Sequence, residues 1–147
     1  MKKLGNKIAF GLAALLSSGG VHAGGKTSDV LEHMTVGIWA ESPLGTSARL
    51  GLAVPTGANE AITIGHEFGL YGSKDFVGYR AAATGHGVFF GAIDLARWKT
   101  RSHPWLAEEG TVYYGVEAQL LILRAGLMFP KGSDHHPTVT FGLGFGF

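Results

Sequence analysis

The sequence predicts an all-β protein, an eight-stranded antiparallel up-and-down transmembrane β-barrel, on three observations. Apolar residues alternate with small or polar ones at period two, most cleanly where Val139, Phe141, Leu143, Phe145 and Phe147 interleave with Thr138, Thr140, Gly142, Gly144 and Gly146. A strand sends successive side chains to opposite faces, and no helix produces that split. The alternating runs number eight, an even count, and are about as long as the ~9–11 residues of a tilted membrane strand. Finally, charge is sparse at 16% against 46% hydrophobic residues. No stretch beyond the N-terminal region approaches the ~18 uninterrupted apolar residues of a membrane helix. A membrane protein built from strands reconciles these facts.

Residues 1–23 are expected to be a cleavable signal peptide. Lys2, Lys3 and Lys7 precede the apolar run Ile8 to Leu16, which gives way to small residues ending in Val21-His22-Ala23. That run is about half the length of a spanning helix. Residues 24–147 then form a single barrel domain, with nine bases against eleven acids and a formal charge of −2. No basic field is left to attract nucleic acid. The lack of cysteine removes lipidation at an N-terminal Cys, disulfides and thiolate metal sites.

In chain order, the expected strands lie near 34–41, 46–54, 60–71, 75–83, 87–98, 111–119, 122–129 and 138–147. In the second, Ala48, Leu50, Leu52 and Val54 share one face and Ser47, Arg49, Gly51 and Ala53 the other. Turn chemistry marks Ser42-Pro43-Leu44-Gly45, Pro55 to Asn59, Gly72-Ser73-Lys74 and Thr84-Gly85-His86. Leu120-Leu121 has none, but the apolar phase flips there from even to odd positions, so a tight turn is expected, with a bulge in one overlong strand as the rival. The two longer connections are Lys99 to Gly110 and Pro130 to Pro137. With both termini in the periplasm these two loops face outside and the even-numbered turns are all short, as outer membrane barrels require.

If the apolar face meets lipid, the inward positions include Arg49, Glu67, Arg80, Asp94, Glu117 and Arg124. Buried charges must be paired, and an eight-stranded barrel is just wide enough for side chains to fill. The expectation is a closed, salt-bridged lumen, with a polar binding or conducting lumen as the functional alternative. A turn centred on Leu120-Leu121 puts Glu117 directly opposite Arg124, a favourable cross-strand pairing. Inward glycines at Gly37, Gly51, Gly65, Gly78, Gly115, Gly126, Gly142 and Gly144 leave room for long side chains.

The seven histidines point weakly to chemistry. Asp134-His135-His136 and Ser102-His103 lie on the two long loops, and adjacent strand or turn histidines do not converge as a helical i, i+4 pair does. No metal and no cofactor is expected. A hydrolytic site would need Ser102, His103, Asp134 and His136 to meet across both loops. His66 falls on the lipid side beside Glu67 and fits the phase worst, which calls for a bulge or a local shift that turns both toward the lumen. Trp39, Tyr71, Tyr79, Trp98, Trp105, Tyr113 and Tyr114 lie near strand ends, where amphipathic rings suit the headgroup region. Core packing is the alternative for them.

The terminal Gly142-Leu143-Gly144-Phe145-Gly146-Phe147 resembles the C-terminal assembly signal of bacterial outer membrane barrels, in which a Gly precedes hydrophobic and aromatic residues ending in Phe. Phe141 stands where that pattern usually has a polar residue. The resemblance covers the last strand and implies recognition by the barrel assembly machinery through Gly142, Phe145 and Phe147. Gly115-Val116-Glu117 with Leu123-Arg124-Ala125-Gly126-Leu127 resembles a hairpin of long-chain fatty acid transporter barrels. Those have more strands and a plugging domain, so transport is not carried over. The architecture is similar to the small eight-stranded barrels of the OmpX and OmpA type, whose members range from structural or adhesive proteins to lipid-modifying enzymes. The lipid A deacylase branch uses a His followed two positions later by Ser, a pair this sequence lacks.

These readings imply an integral outer membrane protein of structural or surface-interaction type, with outer membrane lipid and the assembly machinery as partners and an unidentified loop partner. Two alternatives stand beside it. A membrane-embedded lipid-modifying enzyme requires His103 to meet Asp134 or His136. A soluble secreted barrel binding an apolar ligand requires inward Phe and Leu.

Overall fold

The computed structural model describes residues 33–83, 89–132 and 136–146, without the side chains of 82–83 and 89–90. The expected signal peptide, the turn Thr84-Gly85-His86, Asp134, His135 and Phe147 therefore lie outside the described residues. None of the described residues is helical. Eight strands follow in order: β1 (Met34–Glu41), β2 (Gly45–Gly57), β3 (Glu60–Gly69), β4 (Gly72–Ala83), β5 (Phe89–Thr100), β6 (Val112–Leu120), β7 (Leu123–Pro130) and β8 (Thr138–Gly146). Each pairs antiparallel with the next, and β1 also pairs with β8, so the sheet is a closed barrel. Closure leaves no sheet edge with unpaired backbone groups.

Strand lengths run from 8 to 13 residues, or ~26 to ~43 Å along the strand. The odd-numbered connections, including the long 101–111 and 131–137 segments, gather at one end, and the even-numbered ones at the other. We refer to these as the loop end and the terminal end.

Three boundaries differ from the sequence expectation. Strand β2 continues through Pro55 to Gly57, with a register shift between those residues; a bulge of this kind accommodates a proline that cannot donate to the ladder. The β3–β4 turn is Leu70-Tyr71, and Gly72, Ser73 and Lys74 belong to β4. Backbone bonds from Leu70 N to Thr46 O and from Tyr71 N to Leu44 O hold that turn against its neighbours. The tight turn between β6 and β7 is Leu121-Ile122, one residue later than expected.

That displacement corrects the pairing of Glu117 with Arg124. Glu117 stands opposite Gly126, and Arg124 opposite Gln119. Moving a hairpin centre by one residue shifts each pairing by two and keeps every side chain on its face, so both groups stay inside.

The two faces of the wall are sharply sorted. Outward residues are large and apolar on every flank: Leu52 of β2 is 61% exposed, Ile93 of β5 62% and Phe145 of β8 66%. Inward positions hold Thr35, Arg49, Thr63, Glu67, Lys74, Asp94, Glu117, Arg124 and Thr140, all buried. At the loop end the lumen is closed by a small apolar cluster in which Leu44, Trp98, Tyr113 and Met128 are fully buried. Leu44 belongs to the β1–β2 turn, which folds inward. Gly45 permits this: its φ is +72°, and a Cβ there would lie 2.7 Å from the Tyr71 ring.

Trp39, Trp98 and Tyr113 thus do not join a headgroup girdle. They are 1%, 0% and 1% exposed and pack inside the barrel. Tyr79 and Tyr114 do face outward, and Trp105 is exposed on the β5–β6 loop.

Candidate functional site

Strand alternation delivers charged side chains from seven strands, β1 to β7, into one lumen, where they separate into two layers. The layer nearer the loop end contains Glu41 (β1), Glu67 (β3), Lys74 (β4), Glu117 (β6) and Arg124 (β7). Lys74 Nζ lies 3.0 Å from Glu41, 3.0 Å from Glu67 and 2.8 Å from Glu117, so one ammonium touches all three carboxylates. Arg124 does the same from the other side, with Nη1 2.7 Å from Glu41 and 3.0 Å from Glu67, and Nε 3.2 Å from Glu117. Two hydroxyls complete the shell. Ser47 Oγ donates to Glu67, and Thr140 Oγ1 donates to Glu117 at 3.4 Å. The flat face of the Arg124 guanidinium lies 3.6 Å from the centre of the Trp39 ring, while its Nη2 makes no hydrogen bond.

The second layer, toward the terminal end, is simpler. Arg49 (β2) meets Asp94 (β5) through two donors, Nη1 at 2.6 Å and Nη2 at 3.2 Å. The guanidinium carbon sits 3.5 Å over the Phe76 ring. Arg80, half-buried, reaches the backbone of Met34, its Nη1 donating to the carbonyl at 3.3 Å. A cavity of about 10 Å³ remains among Thr35, Arg49, Thr63, Arg80, Ala92, Gln119 and Gly146, room for about one water.

The register explains why partners are found across the lumen. Asp94 and Glu117 are direct neighbours between β5 and β6, an unfavourable like-charge pair. Each turns to a base on another strand, Asp94 to Arg49 and Glu117 to Lys74 and Arg124. Glycines make the space: a Cβ on Gly78 would collide with Asp94 Oδ1, and one on Gly142 would lie 2.5 Å from Glu41 Cβ.

Of the lumen residues expected from sequence, Arg49, Glu67, Asp94, Glu117 and Arg124 are buried inside, and Arg80 lines the small cavity. Lys74 and Glu41, which carry four of the contacts just described, went unread. Lys74 follows Gly and Ser and reads as a turn. Glu41 is the last residue of its strand, although its parity with Gly37 and Trp39 puts it inside.

The arrangement closes the barrel. In the five-residue layer each of the three carboxylates contacts both cations, and the buried side chains fill the lumen at that level. On the outside, His66 keeps the phase of its strand with no bulge. Glu67 is inside and His66 outside, where its Nδ1 lies 2.7 Å from Asp75 Oδ1 and its ring 4.4 Å from that of Phe68. The β5–β6 loop touches the start of β8, where Thr138 Oγ1 donates to the Leu106 carbonyl at 2.8 Å, and a cleft of about 390 Å³ there is lined by Leu106, Ala107 and Glu108 on one side and His136, Pro137 and Thr138 on the other. His103 and His136 share no hydrogen bond, and Ser102 and His103 are exposed. Among the described residues no group of three His, Cys, Asp or Glu could hold a metal ion. Of the terminal motif, Gly142 packs inward on Glu41 and Phe145 faces outward.

Compared with family models, with curated proteins and with solved structures, the chain matches none.

Proposed function

We propose that this chain is an integral protein of a bacterial outer membrane, of structural or surface-interaction type. In this reading a signal peptide exports it, the assembly machinery recognises its C-terminal strand, and its long loops face the outside. The carrying observation is the polarity of the wall. Ionic groups fill the lumen while Leu, Ile, Val and Phe stand exposed around the barrel. Soluble monomers rarely expose a contiguous apolar patch beyond ~300–600 Å², whereas a barrel in lipid requires an apolar band and a satisfied interior.

A lumen closed by ion pairs supports the structural class over conduction, and the loops are left as the surfaces that could meet a partner. The soluble ligand-binding alternative is disfavoured, because its interior would be an apolar cavity and this one is filled with ion pairs.

The test is expression of the full chain with its leader, fractionation of the envelope, and gel migration of boiled against unboiled protein. Recovery in the outer membrane fraction with a boiling-dependent shift is the expected result. Soluble periplasmic protein whose migration ignores boiling would refute the proposal and favour a secreted barrel.

A further inference from the structure

A closed lumen leaves the chemistry of the outer wall on β3 to β6 unexplained. Along β5 the exposed side chains pass from Ile93 and Leu95 to Arg97 and Lys99, and Arg101 follows, exposed, at the strand's exit. The three bases climb one strand toward the loop end, with successive side chains ~6.6 Å apart along it. Arg97 stands opposite Asp75 on one side and Tyr114 on the other. Its Nη1 lies 3.3 Å from Asp75 Oδ2, and the other carboxylate oxygen holds His66. Asp75 thus contacts two bases, Arg97 and His66, while Lys99 and Arg101 stand further along the strand toward the loop that carries Glu108 and Glu109.

Immediately below this polar ladder the wall is hollowed into a groove of about 770 Å³. Its apolar walls include Ile64, Val77, Leu95 and Val116, and Asp75, Arg97 and Tyr114 stand on its rim. The depression is shallow and open, laid over the small inward residues Gly65, Ala96 and Gly115, so it could seat a chain along the wall without enclosing it. An apolar trough running up to a row of bases is the complement of an anionic amphiphile.

We propose that this wall is a binding site for a phosphate-bearing anionic lipid, with the headgroup on Arg97, Lys99 and Arg101 and an acyl chain in the groove. The inference rests on the membrane reading above and gives it a substrate-like partner. A guanidinium presents a fork of donors suited to phosphate oxygens, and an adjacent ammonium adds a point charge. Snorkelling of basic residues to an interface accounts for Lys99 and Arg101. It does not account for Arg97, which is held lower on the wall, at the rim of the groove, by its contact with Asp75. A small free anion is the poorer match, because the bases are strung along an open strand and converge on no enclosed pocket.

The experiment uses the full-length mature protein in nanodiscs of equal phosphatidylglycerol and phosphatidylcholine, with retained lipids identified by native mass spectrometry after release. Wild type should retain the anionic lipid over the zwitterionic one by about tenfold or more, as expected when several interfacial bases act together. The triple variant Arg97→Gln, Lys99→Gln, Arg101→Gln should fall to near parity, while Lys131→Gln on the β7–β8 loop should keep the preference. Excess inorganic phosphate should leave the bound lipid in place; its displacement would reassign the site to free phosphate and overturn the lipid. Equal retention of both lipids by wild type, or an unchanged preference in the triple variant, also overturns the inference while leaving the membrane reading intact. A protein that enters no nanodisc and shows no boiling-dependent shift overturns both.

Discussion

The two ionic layers of the lumen both pair buried bases with buried acids and are held quite differently. In the layer near the loop end, three carboxylates share two cations, and every carboxylate touches both. In the layer near the terminal end, Arg49 and Asp94 form one two-donor pair with an aromatic ring beneath it. The first is a network in which no contact can be removed alone. The second is a separable pair beside a small cavity and a half-buried arginine. Taking charges out of water costs several kcal/mol per ion, and mutual attraction offsets this only when the remaining groups are satisfied. The shared layer is therefore where loss of a single group should do most damage.

Lys74→Met is expected to have the largest effect. Methionine matches the stem of lysine but leaves Glu41, Glu67 and Glu117 crowded around Arg124 alone. Removing one partner of a buried ionic group typically costs ~3–5 kcal/mol, and urea unfolding of the detergent- or lipid-held barrel should register a loss in that range. A variant as stable as wild type would mean that the three carboxylates do not depend on the ammonium. Acidification offers no simple substitute for this test, since protonating any one carboxylate alters contacts to both cations.

Asp94→Asn should cost less, about 1.5–3 kcal/mol, the usual worth of a hydrogen bond to a charged group. Arg49 retains Phe76 and can turn toward the cavity that Gln119 and Thr35 share with it. Gly78→Ala reaches the same pair without touching charge, because its methyl would occupy the position of Asp94 Oδ1. If the bidentate contact is what the layer contributes, the unfolding midpoints of these two variants should shift in the same direction, and the double variant should lose less than the sum of the single losses. Full additivity would show that Gly78 acts through the backbone of β4 and β5 instead.

Much of this was legible in the chain, and the failures have one physical origin. Alternation identified β8 and β2 readily, because each has one face of large apolar residues and one of small or polar ones. It also carried Arg49, Glu67, Asp94, Glu117 and Arg124 to the inside, since parity survives errors of boundary. What failed was the reading of ends. Gly72-Ser73-Lys74 has turn chemistry, but the chain turns at Leu70-Tyr71, where backbone bonds to Thr46 and Leu44 from the neighbouring hairpin fix it. Lys74 was lost with that turn. Trp39, Trp98 and Tyr113 were placed at a membrane interface by position along the strand, although each shares the parity of an inward residue: Gly37, Asp94 and Glu117 respectively. Position along a strand says how deep a side chain sits; parity says on which side of the wall, and the two must be read together. The separation of the charges into layers, by contrast, is set by strand stagger around the closed barrel, which no single strand encodes.

The smallest effect expected also separates the layers, through Thr63. Its side chain faces the cavity in the simpler layer, 1% exposed, and its hydroxyl has no hydrogen-bond partner among the protein groups. A buried hydroxyl without a partner is a cost that an apolar isostere removes, whereas a hydroxyl in a satisfied network is a contribution that the isostere forfeits. Thr63→Val keeps the branched shape that suits β3 and should therefore leave stability equal to wild type or up to ~1 kcal/mol higher. Thr140, which donates to Glu117 inside the shared layer, should respond with the opposite sign when changed to Val. Parallel unfolding curves for the two variants make a direct comparison. Opposite displacements would locate ionic cooperativity in the layer near the loop end, and equal losses would show that both layers rely on their hydroxyls.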